Sequence, residues 1–131
     1  MGAKRPLVPV VAIHAGFEPE MLELFEGGVV DGLVLGLPGG GHAPALLAPS
    51  LERLSARMPV VFCTRTHGFE TLRATYGYAG GEMDLIRRGL IAAGALDVLK
   101  ARCALALLLS QAARPQAVRA FFDCFGGGVR I

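Results

Sequence analysis

The sequence predicts an α/β domain: a small three-layer sandwich in which a mainly parallel sheet of about four strands is flanked by helices. Three observations carry the prediction. Short unbroken apolar runs of strand length alternate with stretches whose apolar residues recur every three or four positions. The strand-like runs are apolar throughout, as a strand covered on both faces requires. The order strand, helix, strand, helix, strand then builds a parallel sheet with helices across its faces.

Leu7 to Ile13 (LVPVVAI) is the first strand, apolar and β-branched. Pro9 within it and Pro6 just before it place it at an edge or early in the strand order, because proline cannot donate to a ladder. Gly16 ends it, and Pro19 suits the first turn of a helix, where a missing N–H costs nothing. Met21, Leu22, Leu24 and Phe25 give that helix its apolar face, and Gly27-Gly28 stops it. Val29 to Leu37 reads as the second strand. Ala45 to Ala56 reads as the second helix, with Leu46, Leu47, Leu51 and Leu54 on one face and Pro59 shortly beyond its end. Val60 to Thr64 (VVFCT) is the third strand.

Arg65 to Gly81 is irregular, and loops of that length are usually functional or disordered. Glu82 to Arg88 is a short helix and Leu90 to Ala93 a short fourth strand. Asp97 is the N-cap of a helix running to about Gln111. From Cys103 to Leu109 this helix is apolar on every side, so burial all round is expected. Pro115 starts a final helix through about Phe125, which Gly126-Gly127-Gly128 ends.

Between the second strand and second helix lies Gly36-Leu37-Pro38-Gly39-Gly40-Gly41-His42. Three consecutive glycines permit backbone shapes closed to other residues and let a ligand approach the main chain, so Gly40 and Gly41 are candidate ligand contacts. A helix starting just beyond such a loop offers N–H groups to an anion or carboxylate. Ligands of open parallel sheets bind at the carboxyl ends of the strands. Both this loop and the Arg65 to Gly81 loop lie there. The loop lacks the Gly-Lys-Ser/Thr ending of a nucleotide P-loop, and its spacing departs from a dinucleotide fingerprint. No cofactor is expected.

With 131 residues the chain fits one domain, 1–131, large enough for a core without staples. Charged residues are 18%, below the roughly 25% usual for soluble domains. With 53% hydrophobic residues and a mean hydropathy of +0.50, surplus apolar surface is expected to meet other copies, a further domain, or both. A net charge of +2 without a dense basic patch argues against nucleic acid. No apolar stretch approaches the roughly 20 residues that span a membrane. The start (MGAKRP) lacks a signal-peptide core. A soluble, cytoplasmic chain is expected. Cys63, Cys103 and Cys124 show no metal spacing, and Cys63 and Cys103 suit reduced, buried thiols.

The polar candidates each carry two readings. Glu82 is either a first-turn acid complementing the helix dipole or a ligand contact. His42 is a helix cap or solvent-facing group, or a ligand contact at the glycine loop. His14 and His67 have no carboxylate or second histidine at useful spacing and read as structural or solvent-facing. Thr64 and Thr66 end the third strand, but a threonine hydroxyl needs an adjacent base or lysine to become nucleophilic. The only lysines, Lys4 and Lys100, lie far off in sequence. Arg65 reads as a loop or domain-interface pin, and Tyr76 and Tyr78 as loop packing.

In order, Asp31-Gly32-Leu33-Val34 with its glycine turn, Thr64-Arg65, Tyr76-Gly77-Tyr78, Gly80-Gly81-Glu82, Asp84-Leu85 and Gly89-Leu-Ile-Ala-Ala-Gly94 resemble the C-terminal domain of the L-asparaginase/glutaminase family. Lys100-Ala101-Arg102 before an apolar helix completes the set, which covers nearly the whole chain. The resemblance implies the flavodoxin-like sandwich of that domain. It also implies a role in an amidohydrolase that converts asparagine, and often glutamine, to the acid and ammonia. The family's nucleophilic threonine, a second threonine-aspartate pair and a lysine lie in an N-terminal domain that nothing here resembles. The chain is therefore expected to lack catalysis alone and to partner the missing N-terminal domain within a homo-oligomer. The family's C-terminal domain lends an asparagine and a glutamate that hold the substrate's amino group. The glutamate maps onto Glu82. The asparagine position holds His42, and an imidazole accepts a hydrogen bond from an ammonium only through an unprotonated nitrogen. The alternative is a stand-alone α/β module binding an amino acid or similar zwitterion without turnover. A third reading is a purely structural dimerisation domain.

Overall fold

A computed structural model describes residues 5–66 and 70–125 of the chain. Four parallel strands, β1 (Val10–Ala12), β2 (Leu33–Leu37), β3 (Val60–Thr64) and β4 (Ile91–Ala92), lie in the order β1-β2-β3-β4. Between them run α1 (Pro19–Glu23), α2 (Ala48–Ser55) and α3 (Glu82–Arg87); α4 (Val98–Ser110) and α5 (Pro115–Phe125) follow. The sheet is the middle layer. On one face Leu33, Leu35, Leu37, Val60 and Phe62 pack with Leu22 of α1, Leu51 and Leu54 of α2 and Leu85 of α3. On the other, Val34, Val61, Cys63 and Ile91 pack with Ala101 and Leu105 of α4 and Val118 and Phe122 of α5. The expected sandwich is present.

The two central strands are buried at every position, which is why their sequences are apolar without alternation. β3 spans the expected residues, and in register Leu37 stands beside Thr64. Two strands are shorter than their apolar runs. β1 occupies the edge and pairs only with β2, so pairing is confined to three residues beyond Pro9. The segment before β2 is held differently: Asp31 bonds Leu7 twice, accepting its N–H on the side-chain Oδ2 at 2.8 Å and donating its own N–H to Leu7 O at 2.8 Å. The second helix opens as a 3₁₀ turn (Ala45–Leu47) before α2, with Pro44 preceding it and Pro49 in the first turn of α2.

α4 corrects two expectations. Only Ala101 and Leu105 of this helix are fully buried, while Leu99 and Leu107 are 68% and 64% exposed. Cys103, expected to be buried, is exposed between them. Residues 99, 103 and 107 recur every four positions and therefore share one stripe. The sheet has only one layer to offer α4, so a helix apolar all round still buries a single face. Cys63 is buried as expected, and burial pushes its thiol up to about 12, with Asp97 adding to the effect. His67 and the terminal Gly126-Gly127-Gly128 lie outside the described residues.

Asp97 caps α4 as the sequence implied, its Oδ1 accepting the Lys100 N–H at 2.8 Å. Asp97→Ala is expected to lower unfolding stability by about 1 kcal/mol, measured by denaturant titration of the purified chain. Asp97→Ser, which keeps a capping oxygen, should recover most of that loss.

Candidate functional site

The glycine turn leaves β2 at the carboxyl edge of the sheet, and close packing dictates its residues. A Cβ on Gly40 would sit 2.6 Å from the Leu72 side chain, and one on Gly41 (φ +100°) would sit 2.8 Å from the Phe62 ring. Leu72 N donates to Gly40 O at 2.9 Å, and the Thr64 hydroxyl donates to Gly39 O, tying the turn to the following loop and to β3. The N–H groups of Gly41 and His42 both turn inward to Pro38 O, at 3.2 and 3.1 Å. Ala43 N donates to Gly80 O at 2.8 Å. These amides are spent within the chain, so the turn contributes thinness and direction.

That direction places His42 against Glu82. His42 Nε2 lies 2.8 Å from Glu82 Oε2, although the two residues stand forty positions apart. Glu82 is the first residue of α3, with Gly81 as the N-cap. Its carboxylate folds back into the loop and is 0% exposed. Oε1 accepts two backbone N–H bonds, from Thr75 and Tyr76, each 2.7 Å. Burial alone would push this carboxyl up. The amides of Tyr76 and Thr75, its own N–H and the His42 ring outweigh burial and hold it below its ordinary 4.5. Glu82 is thus both a first-turn acid and the anchor of a polar corner. Its carboxylate does not face solvent; the ring it holds does, with 21% of the His42 side chain exposed.

The tyrosines frame that ring. Tyr76 meets His42 edge-on at 5.1 Å between centroids, Tyr78 at 5.6 Å, and the two tyrosines are 5.8 Å apart. Both are about half exposed, and they pack on each other and edge-on against the imidazole. Asp84, in the first turn of α3, braces the same loop by accepting Gly80 N–H at 2.9 Å and Arg88 Nε–H at 2.8 Å. Asp84 and the backbone donors of Thr75 and Tyr76 are the parts that sequence reasoning missed. The backbone donors leave no signal in side-chain chemistry; the four-residue spacing of Asp84 and Arg88 was visible.

The remaining candidates lie elsewhere or are already committed. Thr64 is buried, and its hydroxyl both donates to Gly39 O and accepts Thr66 N–H at 3.0 Å, which makes it a latch. Arg65 lines a separate hollow of about 520 Å³ at the carboxyl ends of β1 to β3, together with Thr64, Thr66, Glu70 and Asp97. His42 and Glu82 do not line that hollow. His14 is exposed, and its Nδ1 lies 2.9 Å from Ala15 O. Among the described residues no cluster of His, Cys, Asp and Glu could hold a metal ion, and no helix is long and apolar enough to cross a membrane.

The family model described as the glutaminase/asparaginase C-terminal domain matches residues 7–122. The chain belongs to this family. A relative described as a probable L-asparaginase of Deinococcus radiodurans is 36% identical over 117 residues, a stretch that covers 88% of this chain and 34% of the relative. The fold also matches a crystal structure of a probable cytoplasmic L-asparaginase from Campylobacter jejuni. The TM-score is 0.72 at 19% identity, over 90% of this chain and 34% of that one. The chain thus spans about a third of the length of these relatives. It corresponds to the C-terminal part of asparaginases. Within this C-terminal domain the His42–Glu82 corner sits where the glycine turn after β2 meets the start of α3.

Proposed function

We propose that residues 1–131 act as one domain of an L-asparaginase-like amidohydrolase that converts asparagine to aspartate and ammonia. In this reading the chain supplies the corner that holds the substrate's amino group, together with oligomer contacts. The attacking hydroxyl and its activating groups come from the N-terminal domain, and the assembled enzyme works in the cytoplasm. The observation that carries the reading is the 2.8 Å pairing of His42 with Glu82 beside the glycine turn. It joins the two positions that the family resemblance assigns to amine binding. Gly40 and Gly41 let the turn pack against Leu72 and Phe62, which sets His42 against Glu82. The chemistry of Thr64 supports the division of labour, since its hydroxyl is committed to Gly39 O and Thr66 N–H and, among the described residues, is hydrogen-bonded to no base that would make it a nucleophile. Sheet topology supports it too. Ligand crevices of open parallel sheets form where the strand order reverses, and β1-β2-β3-β4 runs in one direction. A closed site needs a second wall.

Ammonia release from asparagine and glutamine tests the proposal. The purified chain alone should release none. Adding the N-terminal portion of a family asparaginase should restore turnover. Turnover by the lone chain would overturn the assignment of the nucleophile. Failure to complement, joined to tight calorimetric binding of asparagine by the lone chain, would instead support a stand-alone amino-acid-binding module.

A further inference from the structure

We infer that Glu82 works through His42: it fixes the proton of the imidazole on Nε2, so that Nδ1 faces the glycine turn as a bare acceptor and is the atom that meets the substrate's amine. The tautomer is a property of this chain alone; the amine contact rests on the functional reading above. Three features support this arrangement. Both Glu82 oxygens are occupied by donors, Oε1 by the amides of Thr75 and Tyr76 and Oε2 by His42 Nε2. A carboxylate accepting from Nε2 demands a hydrogen there, and a neutral ring then leaves Nδ1 unprotonated. Nδ1 lies on the side of the turn, 3.7 Å from where a Cβ on Gly39 would stand, and takes no partner among the described residues. The rings of Tyr76 and Tyr78 pack edge-on against the imidazole. Glu82 is then a positioning residue, and His42 the contact.

The inference makes a counterintuitive demand of Glu82→Gln. The amide oxygen of the glutamine must serve Thr75 N–H and Tyr76 N–H, because an NH₂ group placed there would face two donors. That fixes its NH₂ toward His42 Nε2, which must now accept, and the ring proton moves to Nδ1. The ligand-facing atom turns from acceptor to donor. An isosteric change that leaves the fold intact would therefore reverse the chemistry of the site, as happens when an orienting carboxylate beside a catalytic histidine is replaced by an amide.

Long-range ¹H–¹⁵N correlation of the imidazole at pH 8.5 reads the tautomer directly in the full chain. The wild type should show Nε2–H and Glu82→Gln should show Nδ1–H. A wild-type ring protonated on Nδ1 or on both nitrogens, or a tautomer unchanged in Glu82→Gln, would overturn the relay. In the complemented enzyme, Glu82→Gln should raise the asparagine KM about tenfold or more with a smaller change in kcat, as loss of a charge-assisted bond requires. His42→Asn and His42→Gln separate the two nitrogens. Asparagine places its oxygen near the position of Nδ1 and should keep KM within a few-fold. Glutamine reaches toward Glu82 instead and should raise KM as Glu82→Gln does. The opposite ranking would overturn the assignment of Nδ1 as the contact. A tautomer that flips with no change in KM would remove the amine contact, and the functional reading with it, while the tautomer assignment stands.

Discussion

Gly80→Ala is expected to lower the unfolding stability of this chain by about 3–5 kcal/mol, the combined scale of a left-handed residue gaining a side chain, overpacking, and a broken backbone bond. The position combines two constraints. Gly80 has a φ of +88°, in the region where any Cβ is strained. The added carbon would also stand 2.1 Å from Ala43 O, with Ala43 C at 3.1 Å and Ala45 N at 3.3 Å. All three are backbone atoms, so no side chain can rotate away. Either the α3 loop or the glycine turn must retreat, and the Ala43 N–H to Gly80 O bond joins the two. Thermal unfolding should show a drop of about 10–20 °C, given the usual entropy of unfolding for a domain of this size. Gly77→Ala is the matched control, because a Cβ there meets nothing within 4 Å. It should change stability by less than about 0.5 kcal/mol. Similar losses in both variants would mean that the loop is not held against the turn. The same contact seats Glu82 against His42, so the destabilised protein should also lose the single-tautomer ring signal at temperatures where it is still folded.

How much of this was legible beforehand depends on where the governing interactions lie. Leu33 to Leu37 and Val60 to Thr64 announced themselves, because a strand buried on both faces must be apolar at every position. The edge was harder. The apolar run of Leu7 to Ile13 is as good as that of β3, yet only Val10–Ala12 pairs, because an edge strand has one neighbour and Pro9 interrupts its donors. α4 misled for a related reason. Its composition records what the helix can bury, whereas burial depends on how many layers meet it. The exposed stripe of Leu99, Cys103 and Leu107 is the part this chain leaves uncovered.

At the site, Glu82 and His42 were visible as residue types in a family pattern, and so was the doubt about which imidazole nitrogen could accept. The inward turn of the carboxylate was not visible. Backbone N–H groups of Thr75 and Tyr76 decide it, and every residue but proline carries such a donor. The sequence therefore pointed to an acid aimed at a ligand, while the structure contains an acid aimed at its own loop, with the histidine between it and the exterior.

That inward turn makes Glu82 a residue on which folding depends, and the second large effect follows. Glu82→Ala removes the acceptor for two main-chain donors and for the His42 ring. Hydrogen bonds to a charged group contribute about 1.5–3 kcal/mol each, and partial rehydration of the exposed Thr75 and Tyr76 returns some of this, so a net loss of about 3–4 kcal/mol is expected. Glu82→Gln keeps an oxygen for both backbone donors and should lose only about 1–2 kcal/mol. The difference between the two variants isolates the backbone bonds from the charge. Acid should reproduce the charge component in the wild type. The folded-state pKa of Glu82 is depressed below its ordinary 4.5, so the stability it contributes is fully present above that value and is lost as pH falls through the folded-state pKa. Asp84 behaves alike, since burial is outweighed by Gly80 N–H, Arg88 and Arg87 and its carboxyl is held below its ordinary 3.8. Denaturant unfolding from pH 7 to pH 3 should therefore show a falling acid limb. Glu82→Gln should flatten that limb, and Asp84→Asn should flatten what remains. An acid limb identical in wild type and Glu82→Gln would mean that the carboxylate is not held charged by Tyr76, Thr75 and His42. The glycine turn and the α3 loop would then be joined by packing and the Ala43 N–H to Gly80 O bond, without a contribution from the charge.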